Sequence, residues 1–434
     1  GLMDRYLLTA SLRYDGSSRL SEGNKWALFP SAAIAWRITE EDFAKNLDWL
    51  SNLKLRFSYG QAGNTNSVSP YASEGTISGS VYYPFGTSTS VGNLPANIAN
   101  PMLTWERTSE YNVGLDFGFL NQRISGNIEY YNRTTNDLLM KRNIPVHLGY
   151  SSVTSNVGSV RNSGFELQLN TANIMTKNFA WNTTINLAYN KNEIVSLADE
   201  EDLSNYSIHL QGMRGRYSDK RFIGKPVDTN WTQNTIGVWQ LGEEEEAAKY
   251  GCVPGNFKIK DYNNDGKLTD DDYIIDGKRT PDWTGGMTNM FKIYDFDFSF
   301  HMYFQAGATQ YDRFFENFAL EWNSQNFNNL RTNYWTPENP SNTMGRPSQM
   351  GSRGNIAYER TDFLKVSYIT LGYTLNKRLM SKWGLDNARI YVTVQNPFIL
   401  TKFRGLDPEQ PDLTNIGDTD GMTMNALLGV NISF

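Results

Sequence analysis

The segment Met424–Phe434, with the sequence MNALLGVNISF, decides the fold class of this chain because it alternates without a break. Its even-numbered residues are apolar or aromatic, and its odd-numbered residues are small or polar except for Leu427. Because successive side chains of a strand point to opposite faces, this period of two predicts a strand with one apolar face. Such a strand, when tilted, is long enough to cross the hydrocarbon core of a bilayer.

The aromatic residue at position 434 allows two interpretations of this strand. A final Phe with no polar tail resembles the terminal strand by which bacterial outer-membrane barrels are recognised for assembly, so we expect Phe434 to be an assembly signal. The alternative is the last edge strand of a soluble β-sandwich. The rest of the chain has to decide between the two.

The composition favours a β-protein and excludes several classes. The 434 residues include 36 Gly, 24 Tyr, 23 Phe and 11 Trp, which is typical of a turn-rich sheet protein. No run approaches the roughly 18 apolar residues of a membrane-spanning helix, whereas barrel strands need no such run. A formal net charge of -6 gives no basic footprint for nucleic acid, and one cysteine, Cys252, cannot form an internal disulfide.

Eleven other segments alternate in the same way, which brings the predicted number of strands to about twelve. The regular ones lie near residues 6–14, 53–59, 111–117, 124–130, 165–169, 181–189, 296–304 and 389–394, and looser ones lie near 28–38, 285–292 and 363–374. In the segment 363–374 the apolar register shifts between Val366 and Ile369, which predicts a β-bulge.

The lengths of the connections alternate as well. Short or modest links lie at 39–52, 120–122, 172–178, 294–295 and 375–387, and long ones lie at 61–106, 134–162, 193–283, 307–361 and 397–423. Membrane barrels have short periplasmic turns and long extracellular loops, whereas a soluble sandwich has no reason to sort its loops. We therefore predict an all-β, transmembrane antiparallel β-barrel with a periplasmic C-terminus. Within the first modest link, Glu40–Ser51 predicts a small amphipathic helix with Phe43 on its apolar side.

Several longer stretches resemble the C-terminal half of SusC-type transporters (the SusC/RagA family), which are TonB-dependent outer-membrane proteins of Bacteroidetes. The matching stretches are RYLLTASLRYDGSSR (5–19), LKLRFSYGQAGN (53–64), GSVRNSGFELQL (158–169), residues 261–286 and YWTPENPSN (334–342). They are long, ordered and spread over the whole chain, so the resemblance is specific.

The resemblance implies a plugged barrel of about 22 strands, of which residues 1–434 supply about twelve. We expect the plug, the segment that contacts TonB and the other strands to lie outside this chain. The implied function is TonB-dependent active import of an oligomeric nutrient, a glycan or a peptide, across the outer membrane with a SusD-type surface lipoprotein. The alternative is a passive outer-membrane pore or an adhesin without energy coupling.

Enzyme motifs are missing from the sequence, which predicts that the protein is not an enzyme. The histidines, His147, His209 and His301, are scattered along the chain. On the polar faces of the strands the charged residues mix both signs, which predicts no simple ion selectivity; they include Arg13, Arg56, Glu129, Glu166 and Arg389.

One motif within the long connection 193–283 predicts a metal site. The segment Asp261–Asp272 (DYNNDGKLTDDD) matches the twelve-residue calcium loop in the spacing of its oxygen donors and in the position of Gly266. The predicted Ca²⁺ ligands are Asp261, Asn263, Asp265, the carbonyl of Lys267, Thr269 and Asp272. The last ligand is Asp in place of the usual Glu, which makes bidentate ligation harder. The alternative is an acidic turn that binds no metal.

Overall fold

A computed structural model describes residues 1–144, 149–150, 152–197, 204–205, 214–216, 221–320, 332–347, 352–376, 380, 384–411 and 422–434. Its dominant element is one antiparallel sheet of twelve strands. These strands are β1 (Tyr6–Gly16), β2 (Trp26–Arg37), β3 (Leu50–Asn64), β4 (Glu106–Phe119), β5 (Ile124–Asn136), β6 (Ser159–Met175), β7 (Phe179–Ser196), β8 (Trp283–Ile293), β9 (Phe296–Ala306), β10 (Phe363–Thr374), β11 (Asn387–Thr401) and β12 (Asn425–Ser433). The predicted number of strands is confirmed.

Each of these strands pairs with the next one along the chain, so the sheet is a simple meander. Among the described residues, β1 and β12 each have one paired and one free edge. No helix in the described ranges has both the length and the apolar character needed to cross a membrane.

The alternating apolar residues form one continuous face of the sheet. In one row of register, Leu55 pairs with Leu115, Leu115 with Ile128, Ile128 with Leu167, and Leu167 with Leu187. On β1, the apolar side chains of the same face are largely exposed, with Leu8 at 70% and Leu12 at 67%. The buried hydrophobic clusters of the described residues consist almost entirely of loop residues instead. The apolar face is therefore an outer face and does not form the core between two sheets.

The bulge predicted in β10 is confirmed. The register of β10 shifts between Val366 and Tyr368 against β11, and the matching shift in β9 lies between His301 and Met302. The tight turn before β5 places Leu120, Asn121 and Gln122 at φ values of 54°, 57° and 63°, which closes the link between β4 and β5 in a few residues.

The amphipathic helix predicted over 40–51 is wrong. A 3-10 turn, Ile38–Glu40, is followed by further turns, and β3 begins at Leu50. The Glu41 carboxylate accepts hydrogen bonds from Tyr6 Oη (2.7 Å) and Trp36 Nε1 (3.0 Å), which hold the link against the ends of β1 and β2. Phe43 is 67% exposed, so the link has no core against which an amphipathic helix could pack.

The longer loops at the opposite end carry additional short elements. Most small strands form antiparallel pairs, namely Ile77–Phe85 with Ser88–Pro95, Leu139–Asn143 with Ser152–Asn156, Thr229–Gln233 with Tyr273–Lys278, Thr235–Val238 with Phe257–Ile259, and Thr309–Tyr311 with Tyr358–Arg360. In a three-stranded sheet, the central strand Arg214–Arg216 pairs with Ser204–Asn205 on one side and with Arg221–Phe222 on the other. The helical segments are Glu244–Lys249, Asp270–Asp272 (3-10), Arg313–Phe315 and Glu316–Leu320 (π). One link at this end, residues 17–25, is as short as the links at the other end.

Candidate functional site

The two largest hydrophobic clusters of the described residues lie in the loops at one end of the sheet. The first loop cluster joins the link 17–25, the loop 65–105 and the start of β2, and contains Leu20, Ala27, Phe29, Val68, Leu103 and Trp105. The second loop cluster joins the loops 197–282 and 307–362, and contains Val238, Phe257, Ile259, Phe315, Ala319, Leu320, Trp335, Met344 and Ala357. Loops that are far apart in sequence therefore form folded structure at this end.

Hydrogen bonds tie the two loops of the second loop cluster together. Trp335 Nε1 donates to Gln240 Oε1 (2.9 Å), and the backbone N–H of Val238 donates to Asn342 Oδ1 (2.9 Å). The guanidinium of Arg404, from the loop after β11, lies 4.0 Å from the centre of the Phe315 ring. Three loops thus share one packed unit.

A buried carboxylate lies in this unit. Asp312 is fully buried, and its Oδ1 accepts the backbone N–H of Phe315 (2.9 Å), which caps the short helix Arg313–Phe315. Burial raises the pKa of Asp312, because the charged form loses its water. Burial also lowers the pKa of Arg404.

The calcium-type loop has an ordered geometry. Asp261 Oδ1 accepts the N–H of Asn264 (2.6 Å), and its Oδ2 accepts the N–H of Gly266 (2.9 Å). Asn264 and Gly266 have φ values of 57° and 79°, the left-handed conformation that allows the chain to turn sharply. Burial raises the pKa of Asp261, but the hydrogen bonds that its carboxylate accepts, from Gly266 N–H first and then from Tyr250 Oη, lower it more, so its pKa lies below the ordinary value.

The last predicted ligand closes the loop. Asp272 is fully buried, and its two carboxylate oxygens accept the N–H groups of Tyr262 (2.8 Å) and Thr269 (2.9 Å). Thr269 in turn caps the 3-10 turn Asp270–Asp272. The carboxylate of the last residue thereby joins the start of the motif, at Tyr262, to its end. Leu268, within the loop, packs against the second loop cluster.

The intermediate donors of the motif are more exposed. Asn263 Nδ2 donates to Asp265 Oδ2 (3.0 Å), and Asp265 Oδ1 accepts the N–H of Lys267 (2.8 Å). Among the described residues, no group of three or more His, Cys, Asp or Glu side chains is gathered closely enough to hold a metal. A cation in this loop would therefore also need the amide, hydroxyl and carbonyl oxygens.

On the inner face of the sheet, opposite the apolar face, several charged residues form ion pairs. Arg56 donates to Asp116 (2.8 Å) and to Glu129 (2.8 Å), and Arg389 Nε donates to Asp297 Oδ1 (2.8 Å). Other pairs and neighbours on this face are Arg13 with Asp15 (2.7 Å), Arg133 with Glu110 (2.7 Å), and Glu166 in register with Glu129. Most of the mixed charges predicted for this face are thus paired within the wall, whereas Glu166 lies beside the like charge of Glu129.

Of the three histidines, the structure describes His301. His301 Nδ1 is 2.8 Å from Thr288 Oγ1, and its ring stacks on Tyr368 with centroids 5.8 Å apart. His147 and His209 lie outside the described residues.

Comparison with known families settles the classification. The family profile described as "TonB dependent receptor-like, beta-barrel" matches residues 1–284. The chain belongs to the TonB-dependent receptor family. These receptors are outer-membrane barrels and not enzymes, which agrees with the location and class predicted from the sequence.

The relatives of this TonB-dependent receptor support a SusC-type barrel portion. The chain is 33% identical over 449 residues to TonB-dependent receptor P26 of Formosa agariphila, covering 99% of this chain and 45% of that protein. It is 34% identical over 445 residues to TonB-dependent receptor SusC of Bacteroides thetaiotaomicron, covering 100% of this chain and 42% of SusC. The chain thus spans less than half the length of these two relatives.

A solved structure supports the fold of the receptor barrel. The structure of the RagAB peptide transporter superposes with a TM-score of 0.76 at 24% sequence identity, covering 99% of this chain and 46% of that one. At this identity the likeness concerns the fold.

No local pattern in the sequence reveals the partners of the inner-face charges. Asp116 and Asp297 occupy polar positions of their strands, but nothing local marks them as partners of Arg56 and Arg389. Aligning the predicted strands as neighbours in a meander would have placed Asp116 next to Lys54 and close to Arg56. No pattern in the sequence predicts that separate loops pack together in the two clusters.

Proposed function

We propose that the full-length protein imports an oligomeric nutrient, a glycan or a peptide, across the outer membrane with energy supplied through TonB. A SusD-type surface lipoprotein is the proposed partner that presents the nutrient, and TonB is reached through a region outside this chain. Membership of the TonB-dependent receptor family and similarity to SusC over the whole chain support this proposal.

One observation of the barrel portion carries the proposal furthest. Its inner face is polar and most of its charges are paired, while folded loop clusters lie at the end that we assign as extracellular. A wall on which most charges are paired suits a large solute that must pass without being held. Polar amides and aromatic rings suit both saccharides and peptides, so both substrate classes remain in the proposal.

Gene deletion and energy uncoupling test this function. We expect a deletion strain to lose growth on one class of purified glycan or peptide oligomer, and the intact gene to restore it. A version without the TonB-contacting segment should fail to restore growth, although the barrel still assembles. A passive pore would behave differently, because uptake would continue without that segment and in the presence of a protonophore.

We further propose that the loop Asp261–Asp272 binds one structural Ca²⁺. The ligands are those predicted from the sequence, namely Asp261, Asn263, Asp265, the Lys267 carbonyl, Thr269 and Asp272. The closed backbone turn, with Asp261 and Asp272 buried, supports this proposal. Extracellular calcium modules bind at roughly 10⁻⁴–10⁻³ M, and the short Asp272 does not favour tighter binding.

Limited proteolysis of the segment 250–283 tests the calcium proposal. We expect a chelator to speed its cleavage in the native protein, because the metal holds the loop closed. The variant D261A/D265A should be cleaved quickly with or without chelator, and the barrel should remain folded because its ladder does not involve the loop.

Asp271→Ala is the matched control, because Asp271 is an exposed acidic residue of the same loop and is not a predicted ligand. It should behave like the native protein. Equal cleavage of the native protein with and without chelator would leave only a metal-free acidic turn.

A further inference from the structure

Three glycines within spanning strands lie under a polar contact that joins the two flanking strands. They are Gly114, Gly164 and Gly372, and all three lie on the inner face. Glycine weakens a strand interior, so its presence there points to a close approach of other groups.

The first contact joins β3 to β5 across β4. Arg56, Gly114 and Glu129 lie in one row of register, and Arg56 Nη2 is 2.8 Å from Glu129 Oε1. A Cβ atom on Gly114 would lie 2.9 Å from Arg56 Nη2 and 3.0 Å from its Cζ. The guanidinium therefore lies flat over the glycine and against the wall.

The second contact joins β5 to β7 across β6. Tyr131, Gly164 and Asn190 share a row, and Tyr131 Oη donates to Asn190 Oδ1 (3.0 Å). A Cβ atom on Gly164 would lie 2.0 Å from the backbone oxygen of Tyr189 and 2.8 Å from Tyr131 Oη. The neighbouring strand and the tyrosine both exclude a side chain here, so the tests below use the other two glycines.

The third contact joins β9 to β11 across β10. Arg389 Nε donates to Asp297 Oδ1 (2.8 Å), and Asp297 is in register with Gly372. A Cβ atom on Gly372 would lie 2.5 Å from Asp297 Oδ1 and 2.5 Å from Arg389 Nη2.

The geometry of a sheet explains why glycine is needed. Adjacent strands lie about 4.8 Å apart, so a contact between the strands on either side spans about 9.6 Å. Any side chain on the middle strand would lift the bridging group off the wall and into the lumen. On the outer face, aromatic rings from the adjacent strand lie over two other glycines, Phe117 over Gly126 and Phe304 over Gly285.

We propose that Gly114, Gly164 and Gly372 set the clearance of the import path by keeping these long polar side chains flat and paired against the inner wall. The inference rests on the proposed import function and adds three specificity-determining positions to it. The affected solutes are the larger oligomers, because a side chain lifted into the lumen obstructs a long or bulky chain more than a short one.

Uptake as a function of oligomer length tests the inference in the full-length transporter with its lipoprotein. We expect Gly114→Ala to lower the uptake rate at least threefold for the longest oligomers and to leave the shortest almost unchanged. Gly372→Ala should act in the same way and serves as a second, independent variant. Gly60→Ala is the matched control, because Gly60 shares the inner face and a Cβ there would meet only Ser31 Cβ at 3.5 Å.

A combined variant separates clearance from bracing of the wall. In R56S/E129Q/G114A the displaced side chain is short and position 129 carries no charge, while Asp116 keeps Lys54 as its partner (3.4 Å). Uptake of long oligomers should therefore recover, and R56S/E129Q alone should import normally. Surface amount and heat-modifiable migration report folding in each variant. The inference is overturned if Gly114→Ala and Gly372→Ala import every length normally, if the loss is equal for all lengths, or if R56S/E129Q is as defective as Gly114→Ala. Failure of the proposed import function is distinct, because the unsubstituted transporter would then show no energy-dependent uptake.

Discussion

Deleting Phe434 from the full-length protein is expected to reduce the amount of assembled barrel in the outer membrane to a small fraction. The last pair of the ladder joins Asn387 to Ser433, so Phe434 lies beyond it, and its side chain is 88% exposed. Removing it therefore takes away no strand pairing and little packing. The expected loss concerns recognition during assembly, and the barrels that do assemble should unfold at the same temperature as the unmodified protein.

Heat-modifiable migration of outer-membrane preparations measures the assembled amount, and thermal unfolding of the assembled fraction measures stability. Phe398→Ala is a suitable control, because Phe398 is another exposed aromatic residue, 50% exposed, on the adjacent strand β11. It should assemble in nearly normal amounts. Equal amounts of assembled barrel with and without Phe434 would remove its role as an assembly signal and leave the fold unaffected.

A charge on the apolar face is expected to be the most destabilising single substitution in the sheet. Leu167 lies in the middle of β6, between Ile128 and Leu187 in the same row. An arginine at the bilayer midplane costs about 2–4 kcal/mol in a membrane barrel, because its charge has to be solvated in hydrocarbon. We therefore expect Leu167→Arg to lower the free energy of unfolding of the full-length barrel in phospholipid vesicles by about that amount.

The neighbouring residue supplies the control. Gln168 is exposed on the opposite face of the same strand, so Gln168→Arg places the same charge at the same depth on the polar side. It should change the free energy of unfolding far less than Leu167→Arg, as measured by urea titration. If Gln168→Arg were the more costly substitution, the assignment of outer and inner faces would be inverted.

Local regularity explains which features could be predicted from the sequence. The period of two is a property of adjacent residues, so it predicted twelve strands and the bulge after Val366 without any knowledge of their partners. The calcium-type loop was accessible for the same reason, because its donors lie within twelve consecutive residues. The link 40–51 shows the limit, since its apolar spacing suits a helix but Glu41 ties the chain to Tyr6 and Trp36 instead.

The sequence alone therefore determined the strand number, the face on which each side chain lies, the sorting of the loops after β2 and the order of the donors in the loop Asp261–Asp272. Only the tertiary structure decided that Arg56 meets Glu129 across Gly114, a contact between residues 73 positions apart. It also decided that the loops 197–282 and 307–362 share one hydrophobic cluster. The physical reason is that alternation fixes the face of a side chain, whereas its partner depends on the register between strands and on the packing of loops, which are set by contacts between distant parts of the chain.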